Sequence, residues 1–155
     1  AIRRIVTTLP ILLKKPEHHE AREQMMVGAL MAAFALSNTR LSAATSTGLV
    51  LNAMTTMDPG LASALILPDL LKHNLAALQN PESLYDAFDI NNPEGLGSWI
   101  EKSAAGLMSV KLSDVKVQLE DLNRLSRAVF ELDMISNNPV ELTQDQLTDF
   151  LKRHL

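Results

Sequence analysis

Residues 38–74 read N-T-R-L-S-A-A-T-S-T-G-L-V-L-N-A-M-T-T-M-D-P-G-L-A-S-A-L-I-L-P-D-L-L-K-H-N, the least polar long stretch of the chain. It carries almost no charge and one firm turn signal, Asp58-Pro59-Gly60. In a water-exposed protein such a stretch has to be wrapped by the rest of the chain. Leu41, Ala44, Gly48, Leu51 and Ala53 present small and apolar side chains at helical spacing, a surface that admits a close neighbour. Thr45, Ser46, Thr47, Thr55 and Thr56 are poor helix formers, so packing must hold this element. The expectation is two helices, 41–56 and 60–73, joined at the turn, with a bend at Pro68.

The remaining segments follow the same period. Ile2, Ile5, Val6, Leu9 and Leu13 mark a first helix that Pro10 should kink or restart. A helix over 17–36 is apolar on both faces in its later part, which places it centrally, with Met25, Met26 and Met31 as core filling. Asn80-Pro81-Glu82-Ser83 opens a short helix through Tyr85 and Phe88, and 89–95 reads as a loop. Trp99, Ile100, Ala104 and Leu107 suggest helix over 98–107, and 109–114 reads as a connector. Val115, Leu119, Leu122, Leu125, Val129 and Phe130 predict an amphipathic helix over 115–131. Thr143 with Gln146 forms a capping box that starts the last helix, through Leu155. Aromatic residues are only 4% while Ala, Leu and Met abound, so the expected fold is all-α, one helical domain over 1–155.

Composition narrows the function classes. A net charge of −4 with no basic stripe disfavours nucleic acid. No apolar run reaches the length of a membrane span, and no signal segment is visible. The absence of cysteine removes thiol chemistry and leans towards an intracellular, cytoplasmic protein. His18 and His19 are adjacent and point about 100° apart on a helix, which suits an exposed helix start better than a shared ion. His73 and His154 read as helix-end residues. Thr45, Ser46 and Thr47 either line a small polar pocket or bond back to carbonyls one turn earlier. Asp114, Glu120, Asp121 and Glu131 read as a solvated helix face.

Three blocks give the chain a family resemblance. They are Glu20-Ala21-Arg22-Glu23 through Ser37-Asn38, Arg40-Leu41 followed by Gly60-Leu61-Ala62-Ser63-Ala64-Leu65-Ile66-Leu67-Pro68, and Asn137-Asn138-Pro139 followed by Leu142-Thr143. In this order they resemble the C-terminal helical domain of the iron-containing, group III alcohol dehydrogenases. The resemblance implies a helical bundle, and a divalent metal held by an Asp and a His on a preceding helix plus two further His. That preceding helix is not in this chain. The third ligand position falls at Thr45 and the fourth at Pro59, with a further family histidine at Leu49. Thr45, Leu49, Asp58, Pro59 and Gly60 are therefore the candidate vestigial pocket, with no metal ligand and no catalytic residue among them. The family's nucleotide-binding loop belongs to an N-terminal α/β domain, and no strand followed by Gly-x-Gly occurs here.

The first functional reading is a catalytically degenerate dehydrogenase-like helical domain. It would act as a structural or protein-interaction module, without a cofactor or catalysis of its own. The second is the helical half of a larger NAD(P)-dependent alcohol dehydrogenase-like oxidoreductase, its nucleotide bound mainly by an α/β domain outside this chain. The third is a small-molecule binding domain using the hydroxyls of Thr45 to Thr56. The partners expected are that α/β domain, another protein, or a second copy of the chain.

Overall fold

A computed structural model describes residues 1–155. Every regular element is helical: α1 (Ile2–Lys14), α2 (His19–Ser37), α3 (Ala43–Met54), α4 (Pro59–Leu65), α5 (Leu67–Asn74), α6 (Pro81–Phe88), α7 (Pro93–Ala104), α8 (Leu122–Phe130) and α9 (Gln144–Lys152), with short 3-10 turns between some of them. The all-α expectation therefore holds. The chain divides into two compact units, 1–40 with 79–103, and 41–78 with 104–155.

In the first unit α1 pairs with α2 and with α6. Gly28 of α2 makes the first pairing close, because a Cβ there would lie 3.0 Å from the Ile5 side chain. Arg3 extends from α1 to the Asp86 carbonyl of α6 (3.3 Å). α1 stays one helix through Pro10, which costs it a single backbone hydrogen bond at an exposed position. His18 caps α2, its Nδ1 accepting from Ala21 N–H at 3.3 Å, as the exposed-start reading expected. α6 begins at the expected place, Asn80 Oδ1 accepting from Ser83 N–H. Helix α7 begins at Pro93, five residues earlier than the apolar spacing suggested, with Asn92 Oδ1 accepting from Gly95 N–H.

The central placement of α2 is corrected in this chain. Only Ala21 and Gly28 of that helix are buried, whereas Met26, Val27, Leu30, Met31, Phe34 and Leu36 are exposed. The core-filling reading of Met26 and Met31 falls with it.

The second unit holds the main hydrophobic core. Leu51 from α3, Leu65 and Ile66 at the α4–α5 junction, Leu122, Leu125 and Val129 from α8, and Leu147 and Leu151 from α9 are almost wholly buried within it. Pro68 does more than bend a helix: α4 stops at Leu65, and α5 starts anew with Pro68 in its first turn, where a missing N–H is tolerated. The 115–131 helix is shorter than its apolar spacing suggested. Residues 113–115 and 119–121 form 3-10 turns separated by Lys116 at φ 64°, and α8 begins only at Leu122. Asp114 and Glu120 consequently sit on turns rather than on a helix face. The Thr143–Gln146 capping box opens α9 as expected: Thr143 Oγ1 accepts from Gln146 N–H (3.2 Å), and Gln146 Oε1 from Thr143 N–H (2.9 Å). α9 ends at Lys152.

The tightest approach in this unit joins α3 to α4 at Gly48. A Cβ at that position would stand 2.6 Å from the Pro59 carbonyl oxygen and collide with Ser63 Oγ. A Ser63 rotamer could move, but the carbonyl belongs to the backbone. Gly48→Ala should therefore destabilise the fold by about 1–3 kcal/mol despite its better helix propensity, a loss of several degrees in Tm by thermal denaturation. An unchanged or raised Tm would show that the two helices are free to separate there.

Candidate functional site

The α3–α4 hairpin positions all five residues of the candidate pocket. Thr45 and Leu49 lie one turn apart on α3, on the same side of the helix. Gly48 stands between them in sequence and meets the Pro59 carbonyl, so the start of α4 lies against this part of α3. Thr45 is half-buried, and Leu49 is 44% exposed. Asp58, Pro59 and Gly60 are exposed at the head of α4.

Each turn residue has a local task. Asp58 is the N-cap of α4, its Oδ1 accepting from Gly60 N–H (2.8 Å) and Leu61 N–H (3.2 Å). Pro59 occupies the first helical position, where its fixed φ suits the helix and its missing N–H is no loss. Ser63 Oγ donates to the Pro59 carbonyl at 2.7 Å. The neighbouring hydroxyls also turn inward to the backbone. Thr47 Oγ1 donates to Ala43 O (2.8 Å) and Ser46 Oγ to Ser42 O (3.4 Å), both residues being fully buried. Of the two readings offered for these hydroxyls, back-bonding describes Ser46 and Thr47.

A divalent metal does not fit this donor set. Thr45 offers one neutral hydroxyl, while Leu49 and Pro59 offer no side-chain donor. Oδ1 of Asp58 is already committed to the α4 cap. Nowhere in the chain do three or more His, Cys, Asp or Glu side chains converge as a metal group.

Two further polar features occur in the second unit. A cleft of about 470 Å³ lies at the C-terminal end of α3 and includes Thr55, Thr56, Asp114, Lys116, Asp121 and Arg124. Of the Thr45-to-Thr56 surface, only residues 53–56 line it. Its charges are mixed, and Asp121 is already engaged by Arg124 at 3.3 Å and by the Gln118 N–H. The second feature unites Asp69 of α5 with Arg153 and His154 after α9. Arg153 bonds Asp69 Oδ1, and His154 Nε2 lies 3.1 Å from Asp69 Oδ2. Nearby, His73 Nε2 is 3.0 Å from the Glu141 carbonyl and its ring meets Phe150 edge-on at 6.0 Å. His73 and His154 are thus helix-end residues, as expected, but with partners 68 and 85 residues away that no local pattern reveals.

Asp69 has a shifted titration. Burial works to raise its pKa, but the His154 hydrogen bond and the charges of Arg153 and His154 outweigh burial and hold it below 3.8. A depressed folded value means that the ion-paired carboxylate adds stability above its ordinary pKa, and that this contribution disappears as pH falls through the lowered one. Asp69→Asn should cost about 1 kcal/mol at neutral pH, the exposed Arg153 being screened by solvent, and the cost should vanish under strongly acid conditions. Urea titrations of both forms at neutral and acid pH check this. A penalty independent of pH would remove the charge from the explanation.

The hairpin and its surroundings form an all-helical domain whose side chains gather no metal-ligand group. The chain belongs to the Fe-containing alcohol dehydrogenase family, whose C-terminal domain model matches residues 1–155. Several solved structures share the fold, two of them as follows. A 1,3-propanediol oxidoreductase superposes with a TM-score of 0.83 at 21% identity, covering 99% of this chain and 43% of that one. An alcohol dehydrogenase from Oenococcus oeni gives 0.82 at 18% identity, with the same two coverages. This chain thus spans less than half the length of either relative. No curated protein sequence matches it. No helix is long and apolar enough to cross a membrane.

Proposed function

We propose that residues 1–155 form the helical part of a larger NAD(P)-dependent, alcohol dehydrogenase-like oxidoreductase whose nucleotide-binding domain lies outside them. One observation carries this reading over a free-standing module: 99% of this chain accounts for only 43% of each related enzyme. In that arrangement the cofactor is bound chiefly by the other domain, and the α3–α4 hairpin contributes a wall of the substrate cleft. Thr45, Leu49, Asp58, Pro59 and Gly60 line that wall without supplying a metal.

The same replacements favour a second reading, a catalytically degenerate domain that serves structure or protein interaction. Thr45, Leu49 and Pro59 stand where imidazoles would be needed, so metal-dependent hydride transfer has lost its ligands on this side of the cleft. The two readings differ over nucleotide binding.

The full gene product decides between them. It should carry an α/β segment with a glycine-rich loop, and should quench or shift NADH or NADPH fluorescence saturably. A product without such a segment, or one that leaves the fluorescence of both nucleotides unchanged, would overturn the oxidoreductase reading in favour of the degenerate module.

A further inference from the structure

The cleft at the C-terminal end of α3 has a lining that the needs of the fold do not explain. Its apolar part includes Val117 and Leu125, both almost wholly buried, and the half-buried Val115. Its charged side chains are Lys116, Arg124, Asp114 and Asp121, so the lining is formally neutral. The volume of about 470 Å³ lies within the range of small-molecule sites. None of Thr45, Leu49, Asp58, Pro59 and Gly60 lines it. Met54, which does, lies roughly 13 Å along α3 from Thr45.

Lys116 is the unexpected member. Its backbone is left-handed (φ 64°, ψ 21°), a conformation that suits glycine or asparagine better than lysine. The turn is fixed by backbone bonds alone: Lys116 N–H donates to Ser113 O (3.0 Å) and Val117 N–H to Leu112 O (3.1 Å). The Lys116 side chain is exposed, and its ammonium forms no hydrogen bond or ion pair. Glycine would make the same turn with less strain, so what lysine adds here is a free cation beside the cleft.

The hydrogen-bonding capacity left over in the cleft is mostly that of donors. Both oxygens of Asp121 are engaged, Oδ1 by Arg124 and Oδ2 by Gln118 N–H (3.0 Å). Asp114 Oδ2 accepts from the Ser109 hydroxyl. Thr55 Oγ1 donates to Leu51 O and accepts from Met57 N–H. Against these, Lys116 keeps all its ammonium donors, Arg124 spends only Nη2, and the exposed Thr56 hydroxyl has no partner. Charged donors are matched best by an anionic acceptor. A second negative charge would be repelled by Asp114 and by the C-terminal end of α3. That favours a carboxylate over a phosphate, which carries close to two charges at neutral pH. We infer that this cleft binds a small monocarboxylate with an apolar body, its carboxylate held by Lys116 and Arg124 and its hydrocarbon part resting on Val115, Val117 and Leu125. Every residue involved belongs to this chain, so the inference does not depend on the oxidoreductase reading.

Titration of the isotopically labelled full gene product with sodium hexanoate, followed by protein NMR, tests this. The amide signals of Thr56, Lys116 and Val117 should shift saturably, with a Kd of about 1 mM or below. Hexanamide, which has the same body without the charge, should bind at least about tenfold more weakly, and so should inorganic phosphate. Lys116→Gly should weaken hexanoate binding by a similar factor while leaving Tm unchanged or raised, because glycine suits the left-handed turn. Retained Tm with lost binding separates a ligand contact from a structural role. The absence of a saturable shift, equal binding of hexanamide, or full affinity in Lys116→Gly would overturn the inference. Phosphate binding as tightly as hexanoate would also overturn it, making the cleft a general anion site.

Discussion

The close approach of α3 and α4 at Gly48 governs the second unit. With no side chain at that position, the Pro59 carbonyl and Ser63 can rest against the α3 backbone. The seam is made of small residues, and polar ones among them are tolerable only because each hydroxyl has a carbonyl in reach. Thr47 bonds to Ala43, Ser46 to Ser42, and Ser63 to Pro59. No buried side-chain polar atom is left without a partner. Beneath the seam Leu51, Leu65 and Ile66 join the core with α8 and α9. Moving the two helices apart would expose those apolar side chains, so packing by itself is enough to hold the hairpin geometry.

This separation of frame from chemistry accounts for the candidate pocket's poverty of donors. A metal site needs several donors aimed at one point, and the frame that aims them has its own reasons to persist. Asp58 and Pro59 illustrate such a frame. At the head of α4, an aspartate caps two N–H groups and a proline fits the first turn. Both choices favour a rigid helix start. Neither supplies a ligand, because Pro59 has no donor and Asp58 turns an oxygen to the backbone. The hairpin keeps the family's helical fold, and at Thr45, Leu49 and Pro59 it carries residues that suit packing and offer no imidazole.

Much of the fold was legible because its signals are local. The Asp58-Pro59-Gly60 turn, the Asn80-Pro81 helix start and the Thr143 capping box each combine residues a few positions apart, and each sits where expected. Apolar period alone was less reliable. Val115 and Leu119 share the spacing of α8, yet the left-handed backbone at Lys116 breaks the chain into 3-10 turns before Leu122. The α2 pattern announced a buried helix, but periodicity does not name the partner that buries it, and this chain covers only one edge. In the candidate site, the spacing of Thr45, Leu49 and Pro59 could be read directly, and so could their poverty of donors. The Asp69–Arg153–His154 cluster could not, since α5 and the C-terminal residues meet only in the folded chain.

The central claim is that the α3–α4 hairpin is held by packing and supplies no metal site. Metal analysis of the purified full gene product, incubated with ferrous iron or zinc and then dialysed, addresses it most directly. The account predicts metal far below one ion per chain, and a melting temperature that neither the ions nor a chelator shifts. One tightly held iron or zinc per chain, lost together with thermal stability on chelation, would contradict it.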